Sequence, residues 1–451
     1  MTAEPLAGAP GARRASTLLR RVITLFSVGM LGQIAGIASG ITQAHALGPS
    51  GKAVIAYAVI ALSLVLIGSD GLCSAVLMQA GRDKRHLRRI HSAMLSVVAV
   101  VAVPSLLVAL AIGLAVPSQR PLIGAALAIP FALYAQGARG IMLATGATAS
   151  VAWQGSITTV FLNLAIIGAL VFGHIASYAV LAMWVAGQAA AAAYTVFALR
   201  RRLAAPEIAA ADAPSIGTLV REQFRFGTRT SLATVAGYIN MRVDVFLISA
   251  MLGARELGIY ALAVTSGEML WSVSLPIVYA ALERIAGDSF ADAAALTARL
   301  MRVVVALQVT LGVVLFLAGP WLIAVIYGSA FAPAGPVLRV LLPGLVVYAV
   351  EMFLGYFILV QAKRPLLIFG VQMVSALACA IITIVALPRF GIISAAVATT
   401  VTYLGVVAFK SLYFRHKTGI RLRDQWILRA DDVRPLILKI RTKLRPSVPA
   451  Q

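Results

Sequence analysis

Apolar runs dominate the chain from residue 22 to residue 412, interrupted only by short polar or Gly/Pro-containing turns. The pattern predicts spans at 22–46, 53–79, 93–116, 121–144, 150–172 and 177–199, then at 230–252, 258–282, 301–326, 336–361, 365–387 and 391–412. Each is about twenty residues or more, the length that carries a helix across roughly 30 Å of hydrocarbon. Lipid satisfies no backbone N–H or C=O, so such runs fold as helices. The expected fold class is therefore all-α, a polytopic membrane protein with twelve transmembrane helices.

One long polar stretch, 200–229, interrupts the series and contains Arg200-Arg201-Arg202 and Ala204-Ala205-Pro206-Glu207. It divides the chain six plus six: an N-terminal segment 1–21, a first helical group 22–199, the linker 200–229, a second group 230–412 and a basic tail 413–451. The first run follows Arg13, Arg14, Arg20 and Arg21 and is too long for a signal-peptide core, so it reads as a retained span.

Composition removes the soluble alternatives. Of 451 residues, 61% are hydrophobic and only 12% charged, with a mean hydropathy of +0.93, far from the balance of a water-soluble domain. The net charge of +22 reads as a topology signal, because 31 Lys and Arg fall on one side of the predicted spans and four (Lys52, Arg120, Arg255, Arg389) on the other. The positive-inside rule then puts both termini in the cytoplasm, the Gly48–Lys52 turn outside, and the protein in the cytoplasmic membrane. Anionic lipid accounts for the basic tail without a nucleic-acid partner. Its segment 435–445 reads as a basic amphipathic helix on the headgroups.

Catalytic chemistry finds little support. Cys73 and Cys379 sit in separate apolar runs, so no disulfide framework or metal cluster is expected, and no cofactor. Gly48-Pro49-Ser50-Gly51-Lys52-Ala53 looks superficially like a phosphate loop, but its first Gly is too close and Ala53 replaces the required Ser or Thr. The outer turns are too short to hold the acid/base groups of a membrane glycosyltransferase or O-antigen ligase, so no residue is assigned as catalytic.

The two halves share a feature. Leu47-Gly48-Pro49-Ser50-Gly51-Lys52-Ala53-Val54-Ile55-Ala56 and Leu252-Gly253-Ala254-Arg255-Glu256-Leu257-Gly258-Ile259-Tyr260-Ala261 lie 205 residues apart, each a Leu-Gly turn opening into an apolar run. Repeated halves with a site between them are the common plan of secondary transporters. The second turn, preceded by Arg242-x-Asp244, together with Ile326-Tyr327-Gly328-Ser329-Ala330-Phe331-Ala332-Pro333-Ala334 and the following Val337-Leu338-Arg339-Val340-Leu341, resembles the multidrug/oligosaccharidyl-lipid/polysaccharide exporter superfamily, in its polysaccharide-transporter branch, which includes O-antigen flippases. The resemblance covers about 22–412. It implies two six-helix bundles around a central cavity, alternating access, and a lipid-linked oligosaccharide of undecaprenyl-diphosphate type as the substrate, with other polysaccharide assembly proteins as partners besides the bilayer. The lipid II flippases of this superfamily usually have more spans, which argues against that branch; the multidrug branch has the same number and stays open, as a proton- or sodium-coupled exporter.

Charges inside spans are costly and mark functional sites by default. The candidates are Asp70, Arg139, Arg242, Asp244, Glu268 and Glu351. Asp70 and Arg139 share a depth, as do Arg242 and Glu268, so two pairs are geometrically available. Arg242 and Asp244, two residues apart, point away from each other, whereas Asn240 and Asp244 share a helix face and, with Glu268, offer an ion-coupling site. Arg242 or Arg139 suits a diphosphate, since guanidinium binds phosphate oxygens bidentately; Glu351, between Tyr348 and Tyr356, and Asp70 are further cavity candidates. The alternative for all of them is pairing across helices that never meets substrate. Arg339 reads as snorkelling to the interface, Gly32, Gly36 and Gly40 as a helix-packing stripe, His45 as an interfacial polar residue, and Pro104, Pro130, Pro276, Pro320 and Pro343 as kinks available for gating.

Overall fold

A computed structural model of the chain describes residues 38, 40–67, 69–172, 177–204, 214–287, 289–429 and 431–432. Most of the first expected span with Gly32 and Gly36, the N-terminal arginines, the Pro206-Glu207 segment and the tail 435–445 lie outside the described residues, as do the side chains of Asp70 and Pro276. Helices account for every regular element among the described residues. They are α1 (Gly40–Ile67), α2 (Asp70–Arg82), α3 (Leu87–Ala115), α4 (Pro121–Ala144), α5 (Thr148–Phe172), α6 (Ser177–Leu203), α7 (Ile216–Met251), α8 (Ala254–Gly287), α9 (Phe290–Tyr327), α10 (Ala334–Tyr348), α11 (Glu351–Val360), α12 (Pro365–Phe390), α13 (Ile392–Thr418) and α14 (Leu422–Trp426).

Eight helical segments among the described residues are long and apolar enough to cross a membrane, and the chain is a multi-pass membrane protein. Of the expected twelve, 22–46 lies mostly outside the described residues, and 150–172, 230–252 and 258–282 fall on α5, α7 and α8, whose side chains are only partly described. Two compact units divide the chain, Met1–Ser231 and Leu232–Gln451.

In the first unit, α2, α3, α4 and α6 enclose an apolar core of Leu72, Val76, Ile90, Met94, Ile129, Leu133, Ile141 and Leu199. Gly140 sets the closest crossing, because a Cβ there would lie 2.6 Å from the Cys73 carbonyl oxygen on α2. Within α1 the chain turns back on itself at Gly48, whose φ is +63°. The Lys52 ammonium reaches to 3.4 Å from the Gly40 carbonyl oxygen, whereas twelve residues of straight helix rise about 18 Å. Gly253, its counterpart in the repeat, has φ +88°. Both halves thus use glycine where an L side chain would be strained, which gives the shared Leu-Gly motif a backbone cause.

The second unit inverts the pattern of a soluble helix. On α12, Val374, Leu377, Ile381 and Val385 are exposed, while the buried face carries Gln372, Ser375, Cys379 and Thr383. On α9, Val309, Val313, Leu317, Trp321 and Val325 form an exposed stripe at four-residue spacing. Lipid is as apolar as these side chains, so burial goes to small and polar residues. The tightest approach to another helix's backbone in this unit is Gly344 on α10, where a Cβ would lie 2.7 Å from the Thr400 Cα of α13.

Two expected spans are not continuous. The run 53–79 is divided: α1 ends at Ile67 and α2 begins at Asp70, with the Ser69 hydroxyl donating to the Val65 and Leu66 carbonyls at 3.0 and 2.9 Å. The run 336–361 is divided at Ala349–Val350. There the Leu345 carbonyl accepts from both the Ala349 N–H at 3.2 Å and the Trp271 indole N–H at 2.9 Å, an insertion of the kind that bends helices.

Candidate functional site

The interior of the second unit draws polar groups together from six helices, α7, α8, α10, α11, α12 and α13. From α7, Arg242 reaches Glu268 on α8 through two parallel bonds, Nη1 to Oε1 at 2.7 Å and Nη2 to Oε2 at 2.8 Å. The side chains are 15% and 18% exposed, so the pair is shielded but not sealed. Tyr238, one turn earlier, places its ring 5.8 Å from the guanidinium carbon. The Arg242 Nε is buried without a partner.

Asp244 turns elsewhere. Its carboxylate accepts from the Val245 N–H at 2.8 Å, the Thr399 hydroxyl of α13 at 2.8 Å and, in a short bond, the Tyr260 hydroxyl of α8. Three donors meet a group that is 2% exposed, but none of them is a cation. The Cys379 sulfur lies 3.8 Å from the Thr399 hydroxyl, at the edge of the cluster.

A third group runs from Asn240 to Lys410. Asn240 Nδ2 donates to Gln372 Oε1 at 3.0 Å; Gln372 Nε2 donates to Glu351 Oε1 at 3.0 Å and to the Tyr348 hydroxyl at 3.2 Å. Glu351 Oε1 also receives a short bond from the Lys410 ammonium of α13. Tyr348 stacks on Tyr403, with centroids 4.1 Å apart. The Asn240 Oδ1 is buried without a partner.

In the first unit Arg139 of α4 donates from Nε to Gln154 Oε1 of α5 at 3.2 Å. Gln154 in turn donates to the Ala135 carbonyl at 2.9 Å and the Thr195 hydroxyl at 2.7 Å. The described partner of this arginine is thus a neutral amide. Asp70 begins α2, and its side chain lies outside the described residues.

The expected Arg242–Glu268 pair is therefore present, and Arg242 and Asp244 diverge. The trio expected to share an ion does not meet: Glu268 is taken by Arg242, Asn240 by Gln372 and Asp244 by hydroxyls. Among the described residues no group of three His, Cys, Asp or Glu is placed to hold a metal. Arg339 is exposed and donates to the Phe316 carbonyl at 3.1 Å. One residue was assigned to the wrong place. Lys410, counted with the cytoplasmic tail, is 1% exposed inside the second unit, which leaves the Lys/Arg asymmetry at 30 to four. Gln372, Tyr260 and Thr399 carry no charge and gave no signal; buried polar residues repeating along α12 every three or four positions were the available one.

Two carboxylates outside the spans are firmly ionised. Bonds from Arg85 hold the Asp83 carboxyl far below its usual range in the α2–α3 turn. Arg302 of α9 lowers the Asp432 carboxyl from its usual range, through bonds of 2.6 and 2.8 Å.

The family model described as polysaccharide biosynthesis protein matches residues 47–336, from the first Leu-Gly turn to beyond the Gly328 turn. The chain belongs to this polysaccharide biosynthesis family. No curated protein matches its sequence. Among solved structures, the lipid II flippase MurJ in an inward closed conformation superposes with a TM-score of 0.69 at 15% identity, covering 93% of this chain and 93% of the other. A multidrug resistance MATE family transporter of the MOP superfamily, inward-facing, gives 0.60 at 15% identity, covering 88% and 98%; one in an outward-facing conformation gives 0.59 at 14%, covering 87% and 93%. This member of the polysaccharide biosynthesis family shares its fold with proteins described as a lipid II flippase and as multidrug resistance transporters. The expected separation from lipid II flippases by span number has no counterpart in the fold, since the superposition extends over nearly all of both chains.

Proposed function

We propose that the protein moves lipid-linked oligosaccharide or polysaccharide precursors across the cytoplasmic membrane by alternating access, as a step in surface polysaccharide biosynthesis. The family match in polysaccharide biosynthesis supports the substrate class. The observation that carries this reading over a multidrug exporter is the charge state of the interior. Each described intramembrane carboxylate, Asp244, Glu268 and Glu351, is already held by donors, while the partner of Arg139 among the described side chains is a neutral amide. An interior of this kind favours an anionic diphosphate over a cationic drug. Arg139 is the residue we assign to the diphosphate, and an undecaprenyl-diphosphate-type carrier meets its chemistry. Arg242, satisfied by Glu268, would have to leave that pair to bind an anion. Both termini are cytoplasmic in this proposal, from the remaining 30-to-four asymmetry.

Deletion and complementation test the reading. Cells lacking the protein should lose surface polysaccharide and accumulate its lipid-linked precursor, and Arg139→Ala should fail to complement at normal folded yield. Loss of drug resistance with surface polysaccharide intact would reverse the assignment.

A further inference from the structure

Arg242 and Arg139 are held by opposite edges of the guanidinium. On Arg242 the Glu268 carboxylate occupies Nη1 and Nη2 at 2.7 and 2.8 Å, and Nε is buried without a partner. On Arg139 the arrangement is reversed: Nε donates to the Gln154 Oε1 at 3.2 Å, and Nη1 and Nη2 have no partner among the described side chains. No nitrogen of Arg139 is both buried and unpartnered, so its Nη edge is open to a ligand. The first arrangement neutralises the guanidinium; the second leaves its charge whole.

Neighbours on three helices fix the orientation of Gln154. Its Nε2 donates to the Ala135 carbonyl of α4 at 2.9 Å and to the Thr195 hydroxyl of α6 at 2.7 Å, and Thr195 donates in turn to the Ala191 carbonyl at 2.8 Å. A carbonyl only accepts and an arginine Nε only donates, so turning the amide over would lose a bond at each end. Ala135 lies one turn before Arg139, and in an α-helix its carbonyl also receives the Arg139 backbone N–H. Gln154 therefore clips this turn of α4 at both ends. Close packing of α5 on α6 supports the clip, since a Cβ on Gly187 would lie 3.1 Å from the Thr158 Cα.

Stability alone would place a carboxylate opposite Arg139. An arginine inside a span is costly unless it is paired, and Glu268 shows that the chain uses this solution for Arg242. The Gln154 amide has the size and shape of a glutamate side chain and is 3% exposed, yet it supplies a hydrogen bond and no counter-charge. The attraction left over is for an anion brought by a ligand. A phosphate can take two parallel Nη bonds from Arg139, as the Glu268 carboxylate takes them from Arg242.

We propose that Gln154, braced by Thr195, is a positioning residue that holds Arg139 by Nε and leaves its Nη edge charged and free for the diphosphate of a lipid-linked substrate. This deepens the reading of Arg139 above and rests on it. Gln154 acts through the arginine: it sets the direction of the guanidinium and stays neutral. A carboxylate in its place would draw the Nη edge back and neutralise it, as happens in the second unit.

Native mass spectrometry of the full-length protein with undecaprenyl diphosphate and undecaprenyl monophosphate tests the role. The wild type should prefer the diphosphate. Gln154→Glu should keep the wild-type melting temperature or raise it, because the new carboxylate pairs with Arg139, yet weaken diphosphate binding about tenfold or more. Gln154→Leu removes the anchor without adding charge and should bring the two affinities together, a change that altered packing alone does not produce. Thr195→Val should act in the same direction and Thr195→Ser should restore the preference. As a control on the same α5–α6 seam, Thr158→Val removes a hydroxyl 3.5 Å from the Gly187 carbonyl and should bind as the wild type does. A wild type without the preference, wild-type binding in Gln154→Glu, or an unchanged preference in Gln154→Leu overturns the proposal. Should neither Gln154 variant fold, an unchanged preference in Thr195→Val overturns it equally. Arg139→Ala separates this proposal from the reading beneath it: normal binding there removes both, whereas binding lost there but kept in the Gln154 variants removes only the role of Gln154.

Discussion

Removing the guanidinium of Arg242 tests the bidentate ion pair between α7 and α8 of the second unit. Arg242→Ala strands the Glu268 carboxylate, 18% exposed, with its two donors at 2.7 and 2.8 Å gone. Breaking a buried ion pair from one side costs about 3–5 kcal/mol, and the translocon cost of a lone central carboxylate is about 2.5–3.5 kcal/mol. The two routes agree on about 3 kcal/mol, a shift of roughly 100-fold in the folded fraction. The double change Arg242→Ala with Glu268→Ala removes the stranded charge and should recover most of that loss, leaving a coupling of about 2–3 kcal/mol. Folded yield after detergent extraction, with reversible unfolding in mixed micelles, gives the four corners of the cycle. Additive losses, with the double variant worse than either single, would refute the view that the pair is structural and neutral; normal yield with abolished export in Arg242→Ala would instead make Arg242 a substrate ligand.

Other outcomes follow from the same geometry. Gly344→Val should drive α10 and α13 apart, since even a Cβ meets the Thr400 Cα at 2.7 Å; a loss of about 1–3 kcal/mol should appear as a lower melting temperature. Tyr260→Phe withdraws one of three donors from the buried Asp244 and should cost about 1–3 kcal/mol in the same assay, with Thr399→Val similar. Asp432 is held ionised by Arg302. Its folded-state affinity for protons is lowered, so its stabilisation of the 422–432 segment is present above the ordinary carboxylate range and is lost as pH falls through that range and below; proteolysis near residue 430 should accelerate there, and at neutral pH in Arg302→Ala. A Cys placed at Ser50 should label from outside the cell only, and labelling only from the cytoplasm would invert the topology.

Much of this architecture was legible in the chain. The helices fall where the apolar runs do, and the Leu-Gly turns 205 residues apart both rest on positive-φ glycines. The Arg242–Glu268 pair was accessible because two charges at equal depth in adjacent spans have few other partners. Lys410 was not, since a lysine about twenty residues into a run and next to a basic tail reads as the end of the span. The break at Ala349–Val350 carries no Gly or Pro; it arises from an indole bond made by Trp271, more than seventy residues away. Uncharged residues such as Gln372 and Thr399 acquire meaning only when folding brings carboxylates against them.

Flipping by the purified protein tests the central claim most directly. Vesicles carrying the full-length chain and a labelled undecaprenyl-diphosphate oligosaccharide in one leaflet would be sampled with an impermeant sugar-modifying enzyme on the opposite side. The account predicts that label becomes accessible at a rate dependent on the protein, and that Arg139→Ala abolishes it in correctly folded samples. Label that stays in its leaflet, while a cationic drug moves across the same vesicles, would contradict it.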